Sequence, residues 1–116
     1  MKRTIRQYLQ DIIEASNAIM GYTKDLTEED FIRNNLVHDA VLRELEILGE
    51  AVKHIPANIR NKYPNIPWKE IAGMRDILIH EYFGVILQNA WNVVKRDLPI
   101  LKQQILELQK TLSKET

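Results

Sequence analysis

The chain has 116 residues, enough to bury one hydrophobic core without covalent staples, so a single domain over 1–116 is expected. It has no cysteine, which excludes disulfides, thiol nucleophiles and cysteine metal sites and suits a cytoplasmic setting. Lysine plus arginine balance aspartate plus glutamate at 16 each, so long-range attraction of the whole molecule to nucleic acid or to an anionic membrane is weak, and any such binding must be local.

The N-terminus, MKRTIRQYLQDIIEASNAIM, carries charges through its apolar positions and has neither the apolar run of a signal peptide nor a membrane span. Thr4 to Gln7 has the form of a capping box, and Ile5, Tyr8, Leu9, Ile12, Ile13, Ile19 and Tyr22 then recur on one stripe, predicting a helix over roughly 5–24. Thr27-Glu28-Glu29-Asp30 reads as a second cap with acids in the first turn, opening a short helix through Phe31 and Ile32 that Asn34 and Asn35 interrupt. Leu36, Val37, Val41, Leu45, Leu48, Val52 and Ile55 follow at steps of three and four until Pro56, a second long helix over roughly 36–55.

Pro56, Pro64 and Pro67 make 56–67 a connecting segment, with one short helical stretch at 57–62. Pro67 suits the first position of a third main helix that runs through Trp68, Ile71, Ala72, Met74 and Leu78 to His80, with Gly84 as its stop. A further helix starts after Gly84 with Val85, Ile86, Ala90, Trp91, Val93, Val94 and Leu98. Beyond Pro99, which should kink or divide it, Leu101, Ile105, Leu108 and Leu112 resume the stripe. No segment alternates with a period of two. The expected fold is all-α, an antiparallel bundle of four to five helices. Gly49 and Gly73, each inside a predicted helix, suggest close backbone approach between helices.

Two stretches carry potential chemistry. From Lys53 to Arg75 the cations Lys53, Arg60, Lys62, Lys69 and Arg75 face Glu70 alone, a local net of +4, which is either a solvated face or an anion-binding one. The second is MRDILIHEYFG, residues 74–84, where Arg75, Asp76, His80, Glu81 and Tyr82 interrupt an apolar run. On an ideal helix Asp76 and His80 share a face, Arg75 and Tyr82 lie near one line, and Arg75 and His80 are about 140° apart. Either the helix ends near His80, or a second copy of the chain brings its own motif opposite the first. Because Ile77, Leu78 and Ile79 span most of the circumference, a C₂ dimer placing two Arg75 and two His80 in one cleft would also cover that helix.

Histidine can exchange a proton near neutral pH, a carboxylate such as Asp76 can fix its tautomer, and arginine stabilises charge building on a phosphorane. Together they suit attack by an RNA 2′-hydroxyl on its neighbouring phosphate, which needs no metal. The competing reading is an internal ion-pair network that holds a buried polar patch.

Arg75 to Tyr82 matches the R-x-x-x-x-H-x-Y signature of the HepT family within the HEPN superfamily, and DAVLRELEILGEAVKHIP, YPNIPWKEIAGMRDILIHEYFG and DLPILKQQI resemble HepT sequences in order and spacing. The resemblance implies a HEPN-like helical fold, a homodimer with a composite site, and metal-independent endoribonuclease activity used as the toxin of a toxin–antitoxin pair, with no cofactor. It implies that Arg75 and His80 are the catalytic pair and that Asp76 orients or assists them. Tyr82 would be the residue to which a partner, a minimal nucleotidyltransferase antitoxin, transfers AMP from ATP. A non-catalytic subunit that binds a nucleotide or a nucleotidyltransferase is the alternative.

Arg43, Glu46 and Glu50 share a polar strip at helical spacing, which suggests ion pairs along one helix; the resemblance adds Glu46 and Glu50 as support for the site. His38 and His54 have no metal-ligand spacing, and His54 suits a helix end. Trp68, Trp91 and Tyr63 could stack on unpaired bases, although the two tryptophans sit on apolar stripes and fit a core or a dimer seam.

Overall fold

The computed structural model describes residues 3–73 and 83–114, with side chains described over 3–73 and 86–113. These residues are helical throughout, joined by turns. The helices are α1 (Ile5–Thr23), α2 (Glu28–Arg33), α3 (Asn35–Lys53), α4 (Ala57–Arg60), α5 (described over 68–73), α6 (Phe83–Asn92) and α7 (Leu98–Lys114). A π-helical turn, Val93–Asp97, joins the last two. The pieces outnumber the four to five expected because α2 and α4 stand as separate short helices.

Local chemistry sets the boundaries. The Thr4 hydroxyl accepts from the Gln7 amide at 3.2 Å and the Gln7 side chain accepts from the Thr4 amide at 2.7 Å, a closed capping box. Thr27 and Asp30 repeat it at α2, at 3.1 Å in both directions. Asn34 serves two helices at once. Its amide donates to the Asp30 carbonyl to end α2, and its Oδ1 accepts from Val37 N at 3.1 Å to start α3, with φ −94° and ψ 98° between them. Asn34→Ala should therefore lower the free energy of unfolding by about 1 kcal/mol, while Asn34→Asp keeps most of it. Urea denaturation reads this, and equal midpoints for the parent and the alanine variant would refute the cap.

The helix directions follow from side-chain partners. Tyr8, near the start of α1, stacks on His54 at the end of α3, so α1 and α3 run antiparallel. At the same end Arg6 donates to the Leu112 carbonyl and Gln109 donates to Gln10, while at the other end Lys95 donates to the Thr23 carbonyl at 3.0 Å, so α7 is antiparallel to α1 as well. Leu9, Ile12, Ile19, Val41, Leu45, Leu48, Val52, Leu98, Leu101 and Ile105 fill one continuous core between them.

Two apolar expectations and two glycine expectations fail. Leu36 is 86% exposed, since at about 100° per residue it falls about 140° from the Val41–Leu45–Leu48 face, whereas His38 falls on the edge of that face and is buried. Tyr22 is 44% exposed because Thr23 occupies the inward position, its hydroxyl bonded to the Ile19 carbonyl at 2.9 Å. Gly84 does not stop a helix. The described helix runs through it, and no glycine among the described residues has the positive φ that a glycine stop uses. At Gly73 an added Cβ would meet nothing within 4 Å among the described residues, so the close helix approach expected there is not found among them, while Gly49 is buried on α3.

Pro99 does divide the C-terminal helix, through a π turn rather than a break. Proline lacks an amide, and its ring collides with the carbonyl four residues back. The widened turn before it relieves that collision, and the Leu98 amide reaches the Val93 carbonyl five residues earlier.

Candidate functional site

Residues 74–82 lie outside the described residues, and with them Arg75, Asp76, His80 and Tyr82, as well as the expected end of the third main helix. What the structure gives is their two flanks. Upstream, α5 is fixed at its first residue by Trp68, whose Nε1 donates to the carbonyls of Arg60 and Tyr63 at 3.2 and 3.0 Å. Pro67 immediately precedes the helix, one residue from its expected place, and its carbonyl accepts from Ile71 N. Ile71 is buried, and a small apolar crevice of about 130 Å³ lies where α5 meets Leu45 and Leu48 of α3 and Leu98 and Leu101 of α7.

Downstream, Ile86, Leu87 and Ala90 of α6 are buried. Trp91 packs on Phe31 of α2 with ring centroids 5.3 Å apart, and the Lys95 ammonium sits 4.7 Å over the Trp91 ring. Both tryptophans therefore serve packing rather than base stacking: Trp68 is 8% exposed with its ring N–H committed, and Trp91 is covered by Phe31 and Lys95.

Glu46 and Glu50 lie on α3, on the edge that faces the first turns of α1. They line an open groove of about 420 Å³ together with Arg3, Tyr8, Asp11, Arg43 and His54. Each charge there has a partner. Arg3 bonds Asp11 at 2.6 Å, Arg43 approaches Glu46 at 3.6 Å, and His54 Nε2 lies 3.4 Å from Glu50. Arg3 also rests over the Tyr8 ring at 5.1 Å, and the Tyr8 and His54 rings are parallel within 4° at 4.4 Å. Arg43–Glu46 is the intrahelical ion pair the residue spacing suggested, and it and Arg3–Asp11, both partly exposed, are each worth about 1 kcal/mol or less. The described part of α5 packs on the Leu45 and Leu48 side of α3, away from this groove.

The stacked Tyr8 and His54 pair escaped the sequence. Its members are far apart in the chain, and no pattern pairs them until α1 and α3 are known to be antiparallel. His54 does occupy the helix end expected of it, as the C-cap of α3. His38 is buried, with Nδ1 3.2 Å from the Phe31 carbonyl oxygen and Nε2 3.5 Å from Asp39. It holds α2 against α3.

Among the described residues no helix is long and apolar enough to cross a membrane. The ribonuclease HepT-like family model matches residues 5–108. A Thermococcus cleftensis protein named as a probable ribonuclease HepT is 46% identical over 110 residues, covering 95% of this chain and all of that protein. A Methanocaldococcus jannaschii protein provisionally named an RNase is 48% identical over 111 residues, 96% of each chain. A second protein of that organism, named as a gamma-glutamylcyclotransferase and provisional RNase, is 50% identical over 114 residues, 98% of this chain; the chain spans about half, 51%, of its length. No solved structure matches the chain.

Proposed function

From the premise that this chain belongs to the ribonuclease HepT-like family, we propose that it is an endoribonuclease whose site is built from Arg75, Asp76 and His80. The observation that carries this reading is the family match across 5–108, which takes in the whole R-x-x-x-x-H-x-Y motif between α5 and α6.

In this reading His80 removes the proton from a ribose 2′-hydroxyl, and the oxygen attacks the adjacent phosphorus. The bond to the 5′-oxygen breaks and that oxygen takes up a proton, leaving a 2′,3′-cyclic phosphate and a 5′-hydroxyl. Arg75 stabilises the extra negative charge on the phosphorane, and Asp76 holds the imidazole in the tautomer that accepts the proton. Two copies facing one another would supply a base from one and an acid from the other. The reaction calls for no metal, so it should proceed in EDTA.

Tyr82 is the control point of the proposal. A nucleotidyltransferase partner would join the Tyr82 oxygen to the α-phosphorus of ATP with release of pyrophosphate, and the anionic adenylate would compete with RNA for Arg75. This makes the chain the toxin of a toxin–antitoxin pair.

The test is cleavage of single-stranded RNA by the purified protein in EDTA, with analysis of the product ends, before and after co-expression with such a partner. Cyclic phosphate ends are expected from the free protein. The co-expressed protein should carry the mass of AMP on the peptide holding Tyr82 and should leave RNA intact. A Tyr82→Phe protein that is modified and silenced equally well would remove Tyr82 from the account.

A further inference from the structure

One described arginine stands apart from the others. Arg3, Arg33, Arg43 and Arg96 each approach a carboxylate, and Arg6 donates to a carbonyl. Among the described residues Arg60 has no acceptor, and its Nε is sealed from solvent without a partner. A guanidinium without an acceptor that lines an open groove is well matched to phosphate oxygens, which would meet its terminal nitrogens.

Arg60 closes α4 and lines an open groove of about 690 Å³ with Asn61, Asn65, Trp68, Lys69 and Glu70. Lys69 and the nearby Lys62 are exposed and make no ion pair among the described residues. Glu70 is the one acid between residues 51 and 75, and the groove sets Arg60 and Lys69 against it, a net of +1 in its lining. Asn61 and Asn65 add neutral donors and acceptors suited to ribose and phosphate oxygens. The aromatic ring in its wall, Trp68, is buried with its N–H committed, which leaves no face for stacking bases. The lining therefore suits a nucleic-acid backbone and not its bases. Its floor, the start of α5, runs in sequence directly into the motif at 74–82.

We propose that this groove holds the sugar–phosphate backbone of a single RNA strand beside the scissile bond, with Arg60 and Lys69 each on a phosphate. The identity of the ligand rests on the ribonuclease reading; the groove itself is judged by binding.

In the full chain carrying His80→Ala to keep substrate intact, binding of a fluorescent single-stranded oligoribonucleotide is followed by anisotropy over a range of salt. Arg60→Gln with Lys69→Gln should weaken binding about tenfold for unrelated sequences alike. It should also flatten the slope of log K against log salt by about 1.4, since each phosphate contact on a single strand contributes about 0.7. Lys69→Gln alone, at an exposed position where folding is not at stake, should flatten it by about 0.7. Arg33→Gln with Lys110→Gln removes the same charge elsewhere and should leave the slope unchanged. The groove is overturned by a double variant that keeps the parent's affinity and slope, by a control pair with the same effect, or by a parent that binds no RNA. If the protein with His80 restored leaves RNA intact while binding still depends on Arg60 and Lys69, the ribonuclease reading falls and the groove stands.

Discussion

His80→Ala protein should cleave RNA about 10²–10⁴-fold more slowly than the parent, the range expected when a positioned proton-transfer group is lost. The circular dichroism spectrum and the melting temperature are recorded alongside, so that lost chemistry is told apart from lost folding. Arg75→Ala should fall by a similar factor for a different reason, the loss of the donor fork proposed to meet the phosphorane oxygens. The two lesions can be told apart. Added imidazole should restore part of the His80→Ala rate and none of the Arg75→Ala rate. Single-turnover cleavage in EDTA is the measurement, and a purified His80→Ala protein that cuts as fast as the parent ends the catalytic assignment.

The second large effect is on stability. Phe31→Ala should cost about 3–5 kcal/mol, a large share of the roughly 5–15 kcal/mol that holds a domain folded. Phe31 is fully buried although α2 is only six residues long. Its ring meets Trp91 of α6 at 5.3 Å and the edge of His38 on α3 at 6.2 Å, with 69° between the latter planes. Three helices therefore share one side chain, and a void there could be filled only by moving one of them. Phe31→Leu should lose far less, because most of the volume remains. Urea denaturation followed by circular dichroism gives both values, and a loss below about 1 kcal/mol for the alanine variant would show that α2 is not a keystone of the packing. Since α6 is the downstream flank of the motif, the alanine variant should also lose cleavage activity as the temperature rises, before the parent does.

What the sequence disclosed was mostly short-range. Both threonine caps, the stop at Pro56 and the disturbance at Pro99 depend on residues within one turn of one another, and each was legible from spacing and side-chain chemistry. The motif at 75–82 was legible in the same way as a pattern of residue types, while the arrangement of its side chains belongs to residues outside those described. Inward and outward faces were read less well where a helix begins or ends, as at Leu36 and Tyr22, because a stripe drawn through the middle of a helix says little about its final turn. Partnerships across helices were not readable at all. Tyr8 with His54, Lys95 with Thr23, and the solitude of Arg60 all depend on how antiparallel helices are placed side by side.

The π turn at Val93–Asp97 has an effect well beyond the proline it accommodates. In sequence Leu87, Ala90, Val94, Leu98, Leu101, Ile105 and Leu108 are phased as one unbroken seam for a regular helix, and all seven are buried. A regular helix would aim that seam in a single direction, yet α6 lies against α2 while α7 lies against α1. The extra residue taken up by the wide turn resets the angular phase by about 100°, so one seam can seal two differently oriented neighbours without a loop between them.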